Sequence, residues 1–432
     1  MSSDRDFRRL WVGQTASQLG EHTGLVVLPL FAVLTLDASA GQAGALRAAG
    51  QVPVLLLALL AGAWVDSRRT LTVMVLTDIG RALVLAAAAV AGFLGTLGLP
   101  ALFVVVFLAG ALSVFFDVAY QAALVRLVDR DQLLRGNSAL EGSRSAAQFG
   151  GPALGGALVS FLSASAGAAT SAAFFALSFL SIRRIRRREP VPGSQERPPR
   201  VLRRIKEGLG FVAGDAALRA VSLASAAFQL FLAATMTVYL LFLPRELHLS
   251  GAAIGLALAA TGPGALLGSF LAARLPGRLG YGPVLVCAAG AGDAVMLCVP
   301  ALHGSPTVTV PALMAVNFVF GAFGQLVNVM LMAVRQAVTP HGMQGRAAAT
   351  INFAGLGLAP CGSLLGGWLA QGWGLRTGLL VAGAGMLVSP VVLALSPLAR
   401  MGRALPVPDT GAEPNGCDGA GAVERGGTPG HS

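Results

Sequence analysis

The chain has 432 residues, of which 55% are hydrophobic and only 12% charged, about half the charged share of soluble domains. That balance excludes an ordinary water-soluble fold and points to a protein of the bilayer. The net charge of +11 invites a nucleic-acid partner, but the arginines gather in the short segments between apolar runs, where positive charge sets orientation in a membrane, so none is expected.

Twelve apolar runs reach the length that crosses a bilayer: 10–36, 43–65, 71–95, 99–124, 138–162, 164–183, 216–243, 251–274, 281–302, 308–333, 347–371 and 375–397. They predict an all-α polytopic membrane protein with twelve transmembrane helices. Aromatic content is low, at 6%, and alternating segments are absent, which argues against a β-barrel. Residues 1–9 lead into an apolar run too long for the core of a cleaved signal.

Helix 1 follows Arg8 and Arg9 and carries Glu21 and His22. At 1.5 Å per residue, Glu21 lies about 18 Å past Arg9, near the midplane. Intramembrane ionisable groups are functional candidates because they lose solvation, so Glu21 is the first candidate for carrying a proton. Arg47 is expected outside, together with Arg245 and Arg376.

Helices 2 and 3 are joined by a short charged stretch. Asp66, Arg68 and Arg69 form the loop after Gly62, and Asp78 and Arg81 lie inside helix 3 at a spacing that allows pairing. Asp117 is expected towards the inner end of helix 4, within reach of Arg68 or Arg69. Segment 126–137 reads as an interfacial helix or loop.

Helix 5 carries Glu141 and Arg144 one turn apart, then Gly151, Pro152, Gly155 and Gly156. These glycines let neighbouring backbones approach closely, and the proline permits bending. Glu141, Arg144 and Asp117 are secondary proton-coupling candidates. Asp293, on helix 9, is expected to lie away from any central cavity.

After helix 6 the chain turns basic and proline-containing over 184–212. This reads as a linker ending in an amphipathic helix on the lipid surface. The second six helices echo the first: the stretch from Gly268 repeats that from Gly62, with Ala272 where Asp66 would correspond, and Gly366–Gly367 repeats Gly155–Gly156. The expected organisation is a six-helix bundle over 1–183, the linker 184–212, a second bundle over 213–399 and a disordered tail over 400–432.

Cys287, Cys298, Cys361 and Cys417 show no metal-ligand or redox spacing. No catalytic constellation or P-loop is present, so neither an enzyme nor a cofactor is expected.

The loop with Gly62, Asp66, Arg68 and Arg69 resembles the signature loop between helices 2 and 3 of the major facilitator superfamily, although that family's second loop glycine is missing. Gly151, Pro152, Gly155 and Gly156 resemble the helix 5 motif of its exporters, with Ala147 replacing an upstream glycine. The segments beginning Phe7-Arg-Arg-Leu-Trp and Asp117-Val-Ala-Tyr-Gln are similar to those of the enterobactin-exporter and macrolide-efflux branch. The resemblance covers about residues 7–397.

It implies two six-helix pseudo-repeats and proton-coupled export of a hydrophobic or amphipathic small molecule by alternating access. It also implies a monomer in the bacterial cytoplasmic membrane; the distribution of arginines places both termini inside. In that cycle Asp66 would meet the start of helix 11 and latch the inner side. An importer or facilitator, a lipid flippase and a non-transporting receptor or assembly protein are the alternatives.

Overall fold

The computed structural model describes residues 2–66, 68–127, 133–185, 201–340 and 343–403. The chain runs through α1 (Ser2–Leu34), α2 (Ala40–Asp66), α3 (Thr70–Phe93), α4 (Leu99–Leu127), α5 (Leu133–Phe161) and α6 (Ala164–Ile182). A shorter helix, α7 (Val201–Gly214), precedes α8 (Ala216–Arg245), α9 (Gly251–Ala259), α10 (Thr261–Leu279), α11 (Tyr281–Val295), α12 (Pro306–Val338), α13 (Gln344–Trp373), α14 (Leu375–Met386) and α15 (Val388–Leu395). Among the described residues, ten helical stretches are long and apolar enough to cross a membrane. With α2, of 27 residues, and α5, of 29, the spanning-length crossings number twelve.

Three crossings of the second half are interrupted. The eighth is split between α9 and α10, the ninth ends in the 3-10 segment Met296–Ala301, and the twelfth is split between α14 and α15. Pro263, Pro300 and Pro390 explain the breaks, since proline has no N–H for the carbonyl four residues back and its ring crowds that carbonyl. Helix starts are fixed locally: Ser163 accepts from the Ala166 N–H at 3.1 Å, and Asp215 from the Leu218 N–H at 2.8 Å. These side chains satisfy amides that the helix leaves open.

In the first half α6 packs on α1 and α3, α4 on α2 and α3, and α5 on α1. In the second, α8 packs on α13 and α14, and α12 on α10 and α11. The most extensive contacts between the first six helices and the rest run along two seams, α2 against α13 and α5 against α9. Buried Val26 and Leu30 of α1 join Tyr239 and Phe242 of α8 in one apolar cluster.

Glycine makes the seams close. A Cβ on Gly44 would lie 2.9 Å from the Gly367 Cα, and one on Gly156 would lie 2.9 Å from the Gly255 Cα. The glycine pairs of α5 and α13 divide their work alike: Gly155 faces Thr23 of α1 and Gly366 faces Ala234 of α8, while Gly156 and Gly367 face across the seams. Both seams are closed at the end of the bundle that holds the α1–α2 connection. There Arg245 reaches Asp37 at 3.2 Å and the Ala38 carbonyl at 2.7 Å.

Helix α7 lies where the amphipathic helix was expected, and its Val212 is buried against Leu218 and Ile351. Segment 128–132, most of the basic linker (186–200) and the tail from 404 lie outside the described residues.

Candidate functional site

The interior of the first half holds a network of charged side chains built on α1, α3, α4 and α6. On α3, Asp78 and Arg81 are both fully buried and pair at 2.5 Å across one helical turn. The carboxylate of Asp78 also accepts from Ser178 of α6 at 2.5 Å. The Arg81 guanidinium donates to Ser17 of α1 at 3.0 Å and to Ser113 of α4 at 3.1 Å. The Phe116 and Phe175 rings lie 4.3 Å from its centre. A buried guanidinium is tolerable only with such partners, because the loss of water must be offset by pairing and hydrogen bonds.

Glu21 completes the network from α1. Its carboxylate stands 3.6 Å from Arg81, beyond hydrogen-bond length, and its side chain keeps 26% exposure. It faces a cavity of about 280 Å³ also lined by Arg47, Gln51, Ser113 and Asp117. A neighbouring cavity of about 300 Å³ shares Glu21 and Asp117 and adds His22, Tyr120, Arg144 and Gln148. The two carboxyls therefore stand in the wall between two openings.

Helical spacing explains the assembly. Gln14, Gln18 and Glu21 recur at four and three residues on α1, and Ser113, Asp117 and Gln121 at four on α4. Each set forms a polar stripe on one face, and the stripes meet at the cavities. Such stripes within apolar runs are visible in the sequence and mark residues its reading passed over: Gln14, Gln18, Ser113 and Gln121.

Several expectations change. Asp117 does not sit at the end of its helix: α4 runs on to Leu127, and Asp117 follows Phe116, which stacks on Arg81, so it lies at the depth of the buried network. Arg68 instead lies over Trp64 at 5.6 Å and is exposed, as is Arg69. Arg47, expected outside, lines the first cavity, because α2 begins at Ala40 and carries it into the bundle. Glu141 and Arg144 pair at 2.8 Å with both side chains more than half exposed.

Asp66 ends α2, but its side chain and that of Gly62 are outside the description, so the contact with the start of helix 11 is too. In the exporter-like stretch, Gly151 abuts His22 and Thr23, and the Pro152 carbonyl faces Gly255.

The second half has its own cavity of about 430 Å³ between α8, α11, α12 and α13. Asp293, expected to lie away from a central cavity, is in the wall of this second-half one. Asn328 and Asn352 line it as well, whereas Asn317 is a helix-to-helix tie, donating to the Tyr239 hydroxyl at 2.7 Å.

A family model described as "Transmembrane secretion effector" matches residues 3–414. The chain is 27% identical to the multidrug efflux pump Tap of Mycolicibacterium fortuitum over 397 residues, covering 88% of this chain and 93% of that protein. It is also 27% identical to Tap of Mycobacterium tuberculosis H37Rv over 406 residues, covering 88% and 91%.

Among solved structures, a bacterial homologue of the lysosomal transporter Spinster, inward-facing and unoccupied, aligns with a TM-score of 0.72 at 13% identity, covering 92% of this chain and 97% of that one. A bacterial homologue of the iron transporter ferroportin, inward-facing, aligns at 0.71 with 18% identity, covering 90% and 98%. At these identities the structural likeness establishes the fold alone.

Proposed function

The chain belongs to the transmembrane secretion effector family of the major facilitator superfamily, and we propose that it exports hydrophobic or amphipathic small molecules by proton-coupled alternating access. Membership makes it a membrane transporter and not an enzyme. The export direction and the substrate class are supported by the relatives named multidrug efflux pumps.

The observation that carries the coupling is the shared guanidinium. Arg81 is held by Asp78 on its own helix and faced by Glu21 from α1 across the cavity. A proton on Glu21 removes the attraction to Arg81 and leaves the arginine with Asp78. Loss of that proton restores the pull between α1 and α3. Protonation is thereby converted into a change in how two helices hold each other, with Asp117 as a second carboxyl in the same wall.

The two halves move about the glycine seams. The arginine-rich linker and both termini face the cytoplasm, in a bacterial plasma membrane, by the positive-inside bias. In this frame the closed end of the seams is the outer end, and Asp66, Arg68 and Arg69 belong to an inner latch. The bundles over 1–183 and 213–399 are the moving bodies.

Inverted membrane vesicles test the reading. Substrate uptake into vesicles with an acid interior, abolished by collapsing the pH gradient, is the expected result. Uptake indifferent to the gradient removes the coupling, and movement only in the opposite sense makes the protein an importer.

A further inference from the structure

In the first-half network Asp78 and Glu21 both face the Arg81 guanidinium. The second half lacks that balance. Asp293 is 4% exposed on α11 and, among the described residues, makes no side-chain hydrogen bond or ion pair. Its surroundings are packed: a Cβ on adjacent Gly292 would lie 2.9 Å from the Phe323 Cβ of α12.

The other charged side chain of that cavity wall is Arg335. It lies close to the end of α12, at Val338, whereas Asp293 lies twelve positions into α11, past Tyr281. At 1.5 Å per residue the two differ in depth by about 13 Å, too far to pair. Arg81 lies eleven positions past Thr70 on α3, so similar depths carry a paired cation in one half and an unpaired acid in the other.

We propose that the second-half cavity binds the cationic end of an amphipathic substrate, with Asp293 as its counter-charge. The inference rests on the export reading above and deepens it by naming a substrate class. An isolated buried carboxylate is costly, and a ligand cation supplies the partner that the protein omits. Phe228, Phe320 and Phe323 line the same cavity and supply aromatic rings, a residue type that attracts cations, and surface for an apolar body. Gln229, Asn328 and Asn352 add neutral dipoles that do not compete for the charge.

The test compares ethidium, a permanent cation, with neutral N-phenyl-1-naphthylamine. Both are bound to purified full-length protein, and their transport is measured in inverted vesicles. Asp293→Asn is expected to weaken ethidium binding about tenfold or more, as for a lost charge-assisted contact, and to leave the neutral probe within twofold; Asp293→Glu retains both. Equal ethidium binding by Asp293→Asn and wild type overturns the site, as does wild-type protein that binds no ethidium.

Should Asp293→Asn not fold, the wild type carries the test. Dicyclohexylcarbodiimide labelling of Asp293, read by peptide mass, is slowed by ethidium and not by the neutral probe; labelling indifferent to ethidium overturns the site. Asp293-dependent ethidium binding without transport of either probe removes the export reading and leaves the site. Transport of both probes with ethidium binding independent of Asp293 removes the site and leaves export.

Discussion

The Arg81 guanidinium stands 3.6 Å from the Glu21 carboxylate, at the edge of a cavity, while its other arm is committed to Asp78 inside the protein. One contact is short and dry. The other is longer and open to whatever enters the cavity. That asymmetry makes Glu21 the partner that can let go.

Glu21→Gln keeps the shape of the side chain and removes its charge change. Transport by this variant is expected to lose its acceleration by an imposed pH gradient, with substrate binding retained. Vesicle flux with and without the gradient is the measurement. Acceleration equal to wild type places the coupling elsewhere, with Asp117→Asn as the next variant.

Asp78→Asn acts on stability. It leaves Arg81 buried with a single, longer carboxylate contact, and breaking a buried pair from one side costs about 3–5 kcal/mol. A clear drop in the melting temperature of the detergent-purified protein is expected. An unchanged melting temperature would show that Arg81 finds equivalent partners without Asp78.

Gly156→Val and Gly367→Val place side chains where the seams leave no room. Each new Cβ meets backbone of the facing helix, at Gly255 and Gly44 respectively, where overpacking costs about 1–3 kcal/mol. Because the clash exists only while the seam is closed, the expected outcome is normal membrane insertion with transport reduced about tenfold, since each 1.4 kcal/mol is a factor of ten in an equilibrium. Wild-type flux at equal expression would mean the seam does not close in the cycle.

Orientation is tested by reporter fusions. A reporter active only in the cytoplasm, fused after Arg188, is expected to be active, and one active only in the periplasm to be silent. The reverse pattern inverts the assignment of the closed end.

Much of the architecture is legible from the chain alone, because a bilayer imposes a simple rule. A spanning helix satisfies its own backbone and must be apolar for about twenty residues, so run length alone counts the crossings. The i,i+3 pairing of Asp78 with Arg81 and of Glu141 with Arg144 is equally local. The closeness of approach at the Gly155–Gly156 and Gly366–Gly367 pairs is readable from side-chain size.

What only the tertiary structure decided is which polar groups meet. Glu21 and Arg81 are 60 positions apart on different helices; a polar stripe marks one face of a helix, but nothing in either helix specifies which neighbour that face meets. Rotation is set by packing against neighbours, and it carries Asp117 and Arg47 to the cavity wall and Asp293 into a second one. A rotation of one residue is about 100° in a helix, enough to turn a cavity-lining carboxylate towards lipid. The crossings thus follow from composition, and the site follows from how they pack.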